Sequence, residues 1–181
     1  MAPTEVMIVP AHKGKRLPQV RLLLEEYAAS LGIQPCFEGF GDELAALPGN
    51  YAPPSGRLLL ALQRGDLAGC VALRRLTPEV CEMKRLYVCP GVRSLGIGRM
   101  LAERVIHEGK AAGYRRVWLD TLPTMAAART LYQQLGFREI APYRHNPVEG
   151  VLFMELQLQG PGELHSTSVE DSLEPEHLPK Y

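Results

Sequence analysis

Val80-Cys81-Glu82-Met83-Lys84-Arg85-Leu86-Tyr87-Val88, followed by Arg93-Ser94-Leu95-Gly96-Ile97-Gly98: the fold turns on how these two segments are read. The first is a strand-like run. The second is a glycine turn, and beyond it Ile97, Leu101 and Val105 recur at helical spacing with Met100 beside them. Strand, glycine turn and helix N-terminus together form an anion site. The first helical N–H groups lack a backbone partner, and the helix dipole places partial positive charge on them. Glycine lets such N–H groups close on a phosphate where a Cβ would stand in the way. A Walker loop would end in Gly-Lys-Ser or Gly-Lys-Thr, whereas Gly98 is followed by Arg99-Met100. A dinucleotide fingerprint would need a third glycine where Leu101 stands. What is left is a basic residue followed by x-x-Gly-x-Gly. Alone it also fits an ordinary strand-to-helix turn, so its flanks decide.

Upstream, Glu5 to Val9 reads as a strand closed by Pro10, and Pro18 marks a helix start for Gln19 to Ser30. Val20, Leu23, Leu24 and Tyr27 are spaced as one face of that helix, and Gly32 stops it. Asp42 is read as the N-cap of a short helix to Leu47. Arg57 to Leu62, Leu67 to Leu76 and Val80 to Val88 are strands joined by turns at Arg64-Gly65-Asp66 and Thr77-Pro78-Glu79, short enough to require antiparallel hairpins. Downstream, the helix after the glycine turn runs to about Ala112. Arg116 to Thr121 is a strand. Thr124 caps a helix with Ala127, Leu131 and Leu135 on one face, Gly136 ends it, and Phe137 to Ile140 and Val151 to Leu158 are the last strands. The order β-α-α-β-β-β-α-β-α-β-β implies an α/β (α+β) fold. A mostly antiparallel mixed sheet of about seven strands would carry helices on both faces.

The chain has 181 residues and 46% hydrophobic content, enough for one domain, read as residues 1–158, with a polar tail at 159–181. Five carboxylates in the tail against Lys180 give it a net charge of −4, which leaves +4 on the remainder. That surplus favours an anionic ligand, while a net charge of +0 offers no basic field for nucleic acid. The tail's composition predicts poor order in solution. No apolar run approaches the roughly 20 residues of a membrane helix, and Met1 to Arg16 lacks a signal-peptide core. Cys36, Cys70, Cys81 and Cys89 form no CxxC pair and no histidine cluster joins them, so no metal site and a reducing, cytoplasmic setting are expected.

Set after the fourth strand, the Arg93–Gly98 loop resembles the pyrophosphate loop of the GNAT superfamily of acyl-CoA-dependent N-acetyltransferases, and the element order is similar over residues 5–158. The resemblance implies acetyl-CoA as cosubstrate, bound through Arg93, Ser94, Leu95, Gly96, Ile97, Gly98 and Arg99. It also implies a bulged β-strand in which Leu86, Tyr87 and Val88 meet the pantetheine arm. Glu82, fourteen residues before Gly96, matches the general base of the histone acetyltransferase branch. Deprotonation matters because only a neutral amine attacks a thioester. Tyr132, in Tyr132-Gln133-Gln134-Leu135-Gly136-Phe137, matches the tyrosine that protonates the departing thiolate. One departure is Met125, seven residues before Tyr132, where the family often has asparagine. The resemblance implies transfer of acetyl to a primary amine on a small molecule or peptide by direct attack in a ternary complex. A silent CoA-binding module is the alternative. A homodimer is a family expectation.

Four further residues are candidates from position. Asp120 ends a strand beside the expected cleft and could hold an ammonium or cap the next turn. Glu38, between Phe37 and Phe40, suits a cation, or is a solvated loop acid. Cys89 has no base beside it in the sequence for an acyl-cysteine route, and His107 is expected on the solvent side of its helix.

Overall fold

The computed structural model describes residues 5–32 and 39–158, so Phe37, Glu38 and the acidic segment 159–181 lie outside the described residues. Seven strands form one sheet: β1 (Val6–Pro10), β2 (Arg57–Gln63), β3 (Asp66–Arg75), β4 (Val80–Val88), β5 (Arg116–Thr121), β6 (Arg138–Ile140) and β7 (Leu152–Gln157). Their order across the sheet is β1-β2-β3-β4-β5-β7-β6. Every neighbouring pair is antiparallel except β4 with β5. Four helices accompany it: α1 (Arg16–Leu31), α2 (Phe40–Ala45), α3 (Ile97–Ala111) and α4 (Ala126–Gln134). The parallel β4–β5 pair is the one that needs a crossover, and α3 supplies it.

Both sheet faces are covered, which explains the unbroken apolar run Leu58-Leu59-Leu60-Ala61 in β2. Successive side chains point to opposite faces. Leu59 and Ala61 pack with Val71, Leu73, Met83, Leu101, Val105 and Val117 on the α3 side. Leu58 and Leu60 pack with Val20, Leu23, Leu24 and Tyr87 on the α1 side.

Three helix starts differ from expectation. Helix α1 begins at Arg16, so Pro18 lies inside its first turn, where its missing N–H costs nothing because those groups are unpaired anyway. Helix α2 starts after Gly39 in a left-handed conformation, and Asp42 is in the first turn rather than at the cap. Helix α4 is preceded by Met125, not Thr124, because the Met125 N–H already bonds Leu122 O at 3.0 Å in a turn that delays the helix. The later start rotates the buried face: Tyr132 is buried and Ala128, Leu131 and Leu135 pack against the core, while Ala127 is exposed.

Candidate active site

The site begins with a fault in β4. Ala72 faces Lys84 and Cys70 faces Tyr87, so Val71 alone stands opposite both Arg85 and Leu86. Arg85 absorbs the extra residue in a left-handed conformation with φ 59°. Just past the bulge the two strands run unusually close. A Cβ on Gly69 would lie 2.4 Å from Tyr87 O, so only glycine fits there. On its other side β4 pairs with β5 over three residues alone, Val80–Glu82 with Arg116–Trp118, and then the strands part while β5 stays paired to β7 along its length. Backbone groups of β4 beyond Met83 therefore face an opening. The Cys89 N–H donates to Ala68 O on β3 at 2.9 Å, so by the ladder's alternation Val88, and Leu86 two residues earlier, turn theirs the other way.

The opening is a cleft. One wall is Met83, Lys84, Arg85 and Leu86 of β4, and the other is Asp120, Thr121 and Leu122 at the end of β5. Tyr132 and Ala128 close it from α4, Met125 from just before that helix, Tyr27 and Leu31 from α1, and Arg144 and Asn146 from the β6–β7 connection. Tyr132 is only 7% exposed, and its ring leans on Phe137 with centroids 5.7 Å apart. Its hydroxyl has no hydrogen bond among the described residues, and burial raises the phenol's pKa, so it stays protonated at any working pH.

At one end of the cleft, Pro90–Leu95 forms a 3₁₀ turn and Gly96, with φ 75°, reverses into α3. The loop expected at Arg93–Gly98 thus ends inside the helix. Gly96 brings no side chain to cap the first N–H groups, so those of Ile97, Gly98 and Arg99 are left pointing outward. Gly98 packs beside Val88 and Leu131. Ser94 and Leu95 are exposed. Arg93 donates from Nε to Val88 O at 3.1 Å, its guanidinium 5.9 Å from the Tyr87 ring centroid. Arg99 bonds Gln134 and Glu103.

The acids of the cleft depart from expectation. Glu82 is 0% exposed and is not on the cleft wall. Its Oε2 accepts from Arg74 Nε at 2.6 Å, and its Oε1 accepts from the Tyr143 hydroxyl at 2.9 Å and lies 3.5 Å from Arg144 Nε. Glu82, expected as the general base, is thus locked beneath the site by Arg74, Tyr143 and Arg144 instead of standing on the cleft wall. Asp120 does line the cleft, and its Oδ2 accepts from Arg144 Nη2 at 2.6 Å and Asn146 Nδ2 at 2.9 Å, so its charge is matched by Arg144. Burial pushes its carboxyl up, but Arg144, Lys84 and Asn146 outweigh that and leave it below the usual range. Lys84 is the reverse case. Burial takes its ammonium down to about 8 despite the nearby Glu82 and Asp120. The Cys89 thiol donates to Leu67 O at 3.6 Å and burial raises its pKa, which disfavours a thiolate. His107 is exposed.

Sequence reading missed Arg74, Tyr143, Arg144 and Asn146. The first was within reach, because a hairpin turning on Pro78 sets Arg74 opposite Glu82. The others lie in the irregular stretch Tyr143–Asn146, whose path over the sheet no periodicity reveals.

Comparison with known proteins agrees with this geometry. The acetyltransferase (GNAT) family model matches residues 22–137. An uncharacterized N-acetyltransferase of Schizosaccharomyces pombe is 37% identical over 160 residues, covering 87% of this chain and 98% of that one. Among solved structures, an acetyltransferase of Streptococcus agalactiae superposes with a TM-score of 0.70 at 21% identity, covering 84% of this chain and 98% of that one. An acetyltransferase of Salmonella typhimurium holding acetyl-CoA does so with a TM-score of 0.68 at 19% identity, covering 90% and 99%. A split sheet, an uncapped helix behind a basic glycine turn and a matching family model converge, and the chain belongs to the GNAT family of N-acetyltransferases.

Proposed function

We propose that the protein transfers the acetyl group of acetyl-CoA to a primary amine by direct attack in a ternary complex. The parting of β4 from β5 after three residue pairs carries this reading, because it leaves a strand edge bare inside a sheet and sets a buried, protonated tyrosine on its wall. The pantetheine arm runs along Leu86–Val88 as a strand would, its amides taking the turned-away backbone groups. The pyrophosphate rests on the N–H groups of Leu95–Arg99, with Arg93 and Arg99 nearby. Backbone N–H at Leu86 polarises the thioester carbonyl.

The acceptor nitrogen attacks that carbonyl, and the tetrahedral intermediate collapses with loss of the CoA thiolate. Tyr132 protonates the thiolate; the dry surroundings that raise the phenol also raise the thiolate, so donor and acceptor stay matched. Glu82 serves as a positioning residue: it anchors Tyr143 and Arg144, and the amine proton leaves through water at the cleft mouth.

The test is release of free thiol from acetyl-CoA across a panel of amines. The expected result is turnover with at least one class, and Tyr132→Phe lowering kcat by about 100-fold or more while CoA affinity holds. Binding of CoA with no thiol release from any amine would identify a silent module instead.

A further inference from the structure

Charge in the cleft is paired almost completely, and the exception is informative. Glu43 of α2 takes Arg85 Nε at 2.9 Å and Nη2 at 2.6 Å, together with the Tyr51 hydroxyl at 2.8 Å. Glu82 is taken by Arg74, and Asp120 by Arg144. Each acid thus has an arginine of its own. Lys84 is left over: it lines the cleft one residue before the bulge and makes no ion pair or hydrogen bond among the described residues. Arg144 lines the same cleft, its Nη2 on Asp120 and its buried Nε, without a hydrogen bond, 3.5 Å from Glu82 Oε1.

An acceptor bringing only positive charge would find no carboxylate among the described residues of this cleft with its charge unmatched. It would also face the unpaired ammonium of Lys84 across a poorly solvated gap, where like charges repel strongly. A carboxylate would supply the partner that Lys84 lacks through a charge-assisted hydrogen bond, with Arg144 lining the same cleft. Distance matters as well. Lys84 precedes Leu86, where the thioester is placed, by two residues, roughly 6 to 7 Å along a strand, so a carboxylate held there stays near the nitrogen that reacts.

Resting on the reading of this cleft as the seat of acyl transfer, we propose that the acceptor carries a carboxylate within a few bonds of its amine, as a free amino acid does, and that Lys84 and Arg144 hold that carboxylate. Lys84 is then a specificity-determining residue. Burial already disfavours its lone charge, and the bound carboxylate removes that disadvantage.

Matched pairs decide it. Each L-amino acid and its carboxamide are offered with acetyl-CoA, and thiol release is followed. For the best pair, kcat/KM for the acid is expected to exceed that for the amide by about tenfold or more. Lys84→Gln should collapse that ratio by raising KM for the acid, and Lys84→Arg should restore most of it. Should Lys84→Gln fail to fold, the acid-to-amide ratio of the native enzyme still decides. Amides or carboxylate-free amines turned over as well as the acids would overturn the inference and leave acyl transfer standing, as would an unchanged ratio in Lys84→Gln. No thiol release with any amine would overturn the acyl-transfer reading, and this inference with it.

Discussion

At the scale of single residues, the cleft keeps one group that the fold alone would not choose. The Lys84 pKa is lowered from 10.5 to about 8 by burial. Between those values the unfolded chain binds the proton more tightly than the folded one, so stability rises as pH climbs from about 8 to about 10.5. Below that window the native state carries a disfavoured charge. Lys84→Met is therefore expected to be more stable than the native protein at pH 7, by on the order of 2 kcal/mol. The gain should be nearly gone at pH 10.5, where the folded lysine is neutral and the unfolded one only half charged. Melting curves at the two pH values check this; equal gains at both would refute it. Glu82 predicts the opposite direction. Glu82→Gln leaves Arg74 without its counter-charge and Arg144 with Asp120 alone, and should cost about 3 kcal/mol of stability. If Glu82 only positions its neighbours, the variant's remaining activity should keep the native pH profile.

At the scale of elements, β4 does the work, through its bulge and through Gly69 opposite. Gly69→Ala would drive a methyl into the Tyr87 carbonyl and should cost at least about 2 kcal/mol. What survives should bind CoA weakly, since the strand edge that receives it would shift. Calorimetric titration with CoA reads the second effect separately from melting. The elements themselves were legible because pattern and punctuation agree: a short apolar run bounded by turn residues in β2, helical spacing at Ile97, Leu101 and Val105, and glycine at helix ends. Starts were less legible, since Pro18 and Thr124 look like boundary residues yet a turn or an early first residue moved the true boundary. The site was half legible. Glu82 and Tyr132 carry sequence context, whereas Arg144 and Asn146 reach Asp120 from a connection without regular structure, and only the folded chain brings them across. Likewise, Glu82 could be picked out by spacing, but its burial under Arg74 and Tyr143 follows from strand register, which a list of residues does not display.

At the scale of the whole molecule, CoA should behave as part of the architecture. A ligand at 100 times its Kd adds about 2.7 kcal/mol of stability if the unfolded chain does not bind it, so the melting temperature should climb steadily with CoA concentration. The same titration with pyrophosphate alone should raise it far less, because nothing then fills the gap between β4 and β5. The sheet crosses from its first four strands to its last three by a seam of three paired residues, Val80–Glu82 with Arg116–Trp118. Mechanically, the protein is two slabs joined near one end, like a book bound by a few stitches, and the cofactor becomes the missing length of binding. Pulled apart from Val6 and Gln157, an empty molecule should tear at that seam first, and a CoA-loaded one should have no preferred line along which to open.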